Sequence, residues 1–256
     1  MKFFLIVFIF LSCARISMAQ VNPHKKPINK IDYSIHKDEL KKNTFLQALK
    51  IPMVFTMAGL YTLSDDAVVS NTEVREERNE HIPDFRSHAD DYLQFAPIVA
   101  VYGLNLAGVK GKNDMVNRTA LLIKTELLVS ILTYSLKKIT IEPRPDSGTH
   151  NSFPSGHTAQ AFAAATFMAK EYGEKNIWYS IGAYSMATTV GVMRVMNNRH
   201  WVSDVLVGAG IGILSTNLVY LTHQYRWGKR KRGVQTIILP TYDGQTGSIN
   251  IIHRFG

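Results

Sequence analysis

Three segments of this chain, residues 92–109, 176–193 and 205–221, contain no Asp, Glu, Lys or Arg. Such a run must lie in a core or in a bilayer, and a spanning helix needs about 20 mostly apolar residues. Three more apolar stretches are weaker: 51–63 and 159–169 are short, and 119–136 holds Lys124 and Glu126. Together they predict a single all-α domain, a membrane-embedded bundle of about six helices. The competing fold is a soluble helical protein whose core helices look membrane-like.

The formal net charge of +9 is unevenly spread. Lys25, Lys26, Lys30, Lys37, Lys41, Lys42 and Lys50 crowd one stretch, and Arg226, Lys229, Arg230, Lys231 and Arg232 form another. Beside apolar segments, such clusters attract anionic headgroups or fix topology. No nucleic-acid reader motif accompanies them, so the partner they indicate is a membrane and not nucleic acid.

Four regions follow along the chain. Residues 1–19 form a signal peptide or signal-like leader, with a lysine, an apolar run and small residues around Ala19, after which cleavage is expected. A lipoprotein reading at Cys13 suits the sequence less, because Phe10 and Leu11 are bulky. Cys13 is the only cysteine, which rules out an intramolecular disulfide. Residues 20–47 are polar and basic, 48–225 hold the helical domain, and 226–256 hold the second basic cluster and a tail. The tail has β-branched runs around Asp243 and Gly244 and reads as a short β-hairpin.

Topology follows from charge. Lys110, Lys112 and Arg118 precede one apolar stretch, and the 226–232 cluster follows the last. The positive-inside rule puts both on the cytoplasmic side, and Lys137, His157 and His200 on the periplasmic side of a bacterial inner membrane. If 51–63 also spans, a cleaved leader would reverse this. Either the leader is cleaved and 51–63 does not span, or the leader is retained without spanning. The charged segment 65–91, with Glu73, Arg75, Glu76, Glu77, Arg78 and Glu80, reads as a solvated helix of mixed-sign pairs.

The chemistry concentrates in three short segments. Pro154, Ser155, Gly156 and His157 precede an alanine-rich helix former, so the serine caps a helix whose free first-turn amides suit an anion. His200 and Asp204 are four apart and share one helical face, so the carboxylate can fix the imidazole tautomer. Asp204 stands at the mouth of a long apolar segment, where an ionisable group is costly and usually functional. Lys137 and Arg144 bracket a loop stiffened by Pro143 and Pro145, and Arg194 adds a third cation. Arginine offers bidentate recognition of phosphate oxygens and lysine a point charge. Nearby Lys138 would replace Lys137 if the register slipped, while Asp146 and His150 read as loop residues. Trp201 reads as an interfacial anchor or a substrate contact.

At these positions the chain resembles the type 2 phosphatidic acid phosphatase (PAP2) superfamily. The signature is a lysine with arginine-proline seven residues on, Pro-Ser-Gly-His, and an arginine-histidine-aspartate set. Met193 stands where the family often has serine. The resemblance implies that His200 attacks phosphorus to form a phosphohistidine, oriented by Asp204. It implies that His157 protonates the leaving oxygen and then activates water. Lys137, Arg144, Arg194, Ser155 and the Gly156 amide would hold the phosphoryl oxygens, without a metal or other cofactor. The implied substrate is a lipid phosphate: lipid A, undecaprenyl diphosphate, phosphatidylglycerophosphate or phosphatidic acid, with a lean towards compact bacterial lipid A phosphatases. The alternatives are a soluble secreted acid phosphatase acting on small phosphomonoesters, a vanadium-dependent haloperoxidase, and a scaffold that binds phosphate without turnover.

Overall fold

The computed structural model describes residues 35–146, 148–224, 235–242 and 247–254, with side chains described from residue 45 to 224 except 147. The leader and the 226–232 cluster lie outside the described residues. The described part holds eight helices and one hairpin: α1 Ile35–Tyr61, α2 Asn71–His81, α3 Ala89–Leu93, α4 Ala96–Leu106, α5 Met115–Thr140, α6 Gly156–Tyr172, α7 Ile177–Met196 and α8 Val202–Thr222, then β1 Gln235–Tyr242 and β2 Gly247–Arg254. The strands pair antiparallel, from Gln235 opposite Arg254 to Tyr242 opposite Gly247. The Asp243-Gly244 turn is outside the described residues.

The helix starts follow from local chemistry. Ser70, Asp114, Ser155 and Asn176 cap α2, α5, α6 and α7, each accepting from a first-turn amide. Pro97 sits in the first turn of α4, where its missing N–H costs nothing. The uncharged run 92–109 is therefore two short helices, α3 and α4, and not one long one. Conversely, 119–136 is continuous within α5 despite its charges. Lys124 Nζ lies 3.2 Å from His223 Nδ1, and Glu126 accepts from Gln160 Nε2 at 2.8 Å.

Helix α8 is central, packed against α1, α6 and α5, while α7 leans on α6. Val205, Leu206, Ala209 and Ile213 of α8 join Ile51 and Phe55 of α1 and Phe162 and Ala165 of α6 in the main core. Phe55 and Phe162 meet edge to face with centroids 5.6 Å apart. Glycines let these helices approach closely: a β-carbon on Gly208 would lie 2.6 Å from the Ser155 carbonyl oxygen, and one on Gly210 would lie 3.0 Å from that of Pro52.

Among the described residues two helices, α5 and α8, are long and apolar enough to cross a membrane. They differ in burial. Helix α8 is largely enclosed by protein, whereas α5 turns Ile123, Leu127, Ile131 and Tyr134 outward. Their spacing of three to four residues makes a continuous apolar stripe.

At the opposite end from Lys137, His157 and His200, Arg118 and Glu171 form a buried ion pair, Nε to Oε2 at 3.1 Å. Glu171 also accepts from the Asn113 amide and from Tyr220 Oη. The cost of burying the carboxylate is thereby offset by hydrogen bonds.

Candidate active site

Three chain turns meet at one end of the bundle. The first follows α5, which ends at Ile141 with φ of 48°. A β-branched residue is strained in that left-handed conformation. The turn leads into Glu142-Pro143-Arg144-Pro145, pinned by Arg144 N donating to Thr149 O at 2.9 Å. The second is the Phe153–Pro154 turn, with a cis bond, into α6. The third joins α7 to α8. The Ser155 amide donates to the Asp204 carbonyl at 3.0 Å, tying the second turn to the third.

His200 is 3% exposed and Asp204 is fully buried. His200 Nδ1 lies 3.3 Å from Asp204 Oδ2. The same oxygen accepts from the Trp201 amide at 3.0 Å and from the Ser152 hydroxyl. The carboxylate is thus held by the first turn of its own helix and by the neighbouring loop. With Nδ1 engaged, Nε2 of His200 is the nitrogen left for chemistry. Burial pushes the His200 imidazole down to about 4, against the opposing pull of Asp204, so the ring is neutral and nucleophilic near neutrality.

His157, one residue into α6, presents Nε2 to Asp91 Oδ1 at 2.8 Å. Burial, then the Arg194 charge, lowers its pKa, while Asp91 and Asp90 oppose the shift. Arg194 donates to Asp90 Oδ2 at 2.7 Å and lies 3.8 Å from Asp91 Oδ1. Lys137 Nζ reaches the carbonyls of Asn151 and Ser152 at 2.6 and 3.0 Å. Arg144 is lowered by burial and by the neighbouring Arg194 charge. Ser155 spends its hydroxyl on the helix cap, accepting from Thr158 N at 3.4 Å and sitting 2.9 Å from Thr158 Oγ1. Gly156 has open space beside it: a β-carbon there would meet nothing within 4 Å.

All eight residues singled out from the sequence therefore stand on these three turns or the helix ends they join. Of the weaker candidates, Asp146 pairs with Arg199 at 2.9 Å, and Lys138 lies over the Tyr134 ring. Trp201 donates from Nε1 to Pro143 O at 2.8 Å, with Arg75 over its ring. Sequence reasoning missed Asp90, Asp91 and Ser152. Asp90 is fully buried and Asp91 touches His157, although both end a segment that reads as solvated. The available signal was weak: two adjacent carboxylates directly before an uncharged run.

The arrangement has an electrostatic signature. Arg144 Nε and Arg194 Nε are both buried donors with no partner among the described residues. Buried polar groups are normally hydrogen-bonded, and guanidinium donors are best satisfied by an oxyanion.

The model of the PAP2 superfamily matches residues 119–228, a span containing every motif residue from Lys137 to Asp204. Over that span the chain is similar to the PAP2 superfamily. A curated relative, the lipid A 1-phosphatase of Porphyromonas gingivalis, is 36% identical over 186 residues, 70% of this chain. The chain spans 38% of that relative's length. Two solved structures are similar. LpxE of Aquifex aeolicus is 23% identical with a TM-score of 0.44, covering 57% of this chain and 93% of that one. The transmembrane PAP2-type phosphatidylglycerolphosphate phosphatase of Bacillus subtilis is 20% identical with a TM-score of 0.42, covering 69% and 94%.

Proposed function

We propose that this chain is a membrane-bound, metal-independent phosphatase of the PAP2 superfamily that hydrolyses a lipid phosphate, with the lipid A 1-phosphate group as the leading candidate. The carrying observation is the pair of buried guanidinium nitrogens of Arg144 and Arg194, without a partner among the described residues, beside a His200 whose Nδ1 faces Asp204. The lipid A preference rests on the relationship to the Porphyromonas gingivalis enzyme. Membrane residence is supported by the length and apolar character of α5 and α8 and by the outward stripe on α5.

In the proposed reaction His200 Nε2 attacks phosphorus and the P–O bond to the lipid breaks. His157 gives the leaving oxygen a proton, so the released lipid carries a hydroxyl. Water then attacks the phosphohistidine, His157 takes its proton, and the P–N bond breaks with its electron pair returning to His200. Lys137, Arg144, Arg194 and the Gly156 amide hold the phosphoryl oxygens throughout, where fixed donors act most strongly in a water-poor site. Ser155 contributes mainly by capping α6. The positive charges at the other end of the bundle support a periplasmic orientation of this end.

The test is phosphate release in detergent, with chelator present, from lipid A, undecaprenyl diphosphate, phosphatidic acid and p-nitrophenyl phosphate. Turnover of lipid A that vanishes in His200→Ala is the expected result. Turnover mainly of the soluble ester would favour a secreted acid phosphatase. Turnover that survives in His200→Ala would remove the phosphohistidine route.

A further inference from the structure

The two site histidines are held in opposite senses. His200 gives its Nδ1 to a carboxylate, whereas His157 gives its Nε2, at 2.8 Å, to Asp91. Asp91 comes from α3, far from His157 in sequence, and its other oxygen lies 3.4 Å from His88 Nδ1. The Asp91 side chain keeps 43% exposure, so no structural burial demands a partner for it. His88 is more exposed still, at 86%. Among the described residues no other hydrogen bond holds the His157 ring.

We propose that Asp91 is the positioning residue for His157: it accepts the Nε2 proton and so leaves Nδ1 as the nitrogen that exchanges a proton with the leaving oxygen and then with water. The proposal rests on the phosphatase reading above and gives His157 an orienter matching the role of Asp204 for His200. Asp90 has a different task, since both its oxygens face α7: Oδ2 takes Arg194 and Oδ1 lies 3.4 Å from Asn197 Nδ2. Adjacent carboxylates on one short helix are thus divided between a phosphate-binding cation and an acid–base group.

The proton balance is simple. In the first step Nδ1–H passes to the leaving oxygen while Nε2–H stays with Asp91, and His157 becomes neutral. In the second step Nδ1 takes a proton from water and the imidazolium is restored beside the carboxylate. Asp91 remains ionised throughout and favours the charged ring. Besides Asp91, the charges acting on His157 are Arg194 on α7 and Asp90 on α3; His88, Lys137, Arg144, His200 and Asp204 belong to the same end of the bundle. Of these, Arg194 opposes protonation and Asp90 supports it.

The test uses the full chain in detergent with Asp91→Asn, Asp91→Glu and His157→Ala, read by kinetics on the best lipid substrate and by NMR titration of the His157 ring. Asp91→Asn should lower kcat about 10- to 100-fold, less than the 10²- to 10⁴-fold of removing a general acid, with KM little changed. The alkaline limb of kcat should move to lower pH, Asp91→Glu should recover part of the rate, and the NMR midpoint of His157 should fall in Asp91→Asn. An unchanged midpoint and an unchanged pH profile in Asp91→Asn would overturn the proposal. If instead the wild type releases no phosphate, the phosphatase reading fails, and the NMR midpoint still decides whether Asp91 governs His157.

Discussion

Gly212 of α8 lies so close to Ala159 of α6 that a β-carbon on it would stand 2.2 Å from the Ala159 carbonyl oxygen and 2.8 Å from the Ala163 amide nitrogen. Backbone cannot yield as a flexible side chain does, so Gly212→Ala must push α8 off α6. Overpacking of this kind typically costs about 1–3 kcal/mol. The variant should melt at lower temperature in detergent and lose activity with it, because α6 and α8 carry His157 and Asp204. Gly182→Ala is the control: nothing lies within 4 Å of its β-carbon, and alanine is the better helix former. Its melting temperature should be unchanged or slightly raised.

In the proposed reaction the pH profile is set by two depressed imidazoles. His200 keeps its nucleophilic neutral form down to about 4, so the acid limb of kcat/KM should fall near there and not near 6.5. His157 must be protonated to act as an acid, and its lowered pKa puts the alkaline limb below the ordinary imidazole value of 6.5. The optimum should therefore be acidic. Stability moves in a stated direction too. Between pH 6.5 and about 4 the unfolded chain binds a proton that folded His200 refuses, so the folded state weakens as pH falls through that window and is unaffected above it. Thermal melts at stepped pH should show a steeper acid decline in wild type than in His200→Gln.

Arg118 and Glu171 are 1% and 2% exposed and anchor the end of the bundle away from the site. Removing one partner leaves an uncompensated buried charge, which costs about 3–5 kcal/mol. Arg118→Met alone should strongly lower the melting temperature. Arg118→Met with Glu171→Leu should recover much of the loss, since an apolar pair needs no counter-charge. A double mutant as unstable as the single one would show that Asn113 and Tyr220, which also bond Glu171, dominate instead.

What the sequence disclosed depended on how local each signal was. His200 and Asp204 share one turn, and Ser155, Gly156 and His157 share one cap, so their spacing alone foretold their proximity. Asp91 meets His157 only because α3 packs against α6 and α7, and no short-range pattern records that. The ranking of candidate spans failed in both directions, for different reasons. The run 92–109 lacks charge yet restarts at Pro97, a punctuation mark readable in advance. Residues 119–136 carry charge yet lie in a helix long and apolar enough to span, because Lys124 and Glu126 find partners at His223 and Gln160 that only folding supplies.

The apolar stripe of α5 gives the last expectation. Leu127 is 58% exposed and Ile131 60%, on a helix long enough to span, and neither packs in the core. Water would penalise such a surface, whereas lipid would not. Arginine near the middle of a spanning helix costs about 2.5–3.5 kcal/mol of insertion. Leu127→Arg should therefore shift protein from the carbonate-resistant membrane fraction towards the supernatant or towards degradation, while Leu127→Ala should stay with the membrane. In detergent the arginine variant should keep its phosphatase activity, because Leu127 faces away from the bundle and the site sits at the end of α5. Wild type released by carbonate would instead mean that α5 does not span, and would return the chain to a soluble helical fold.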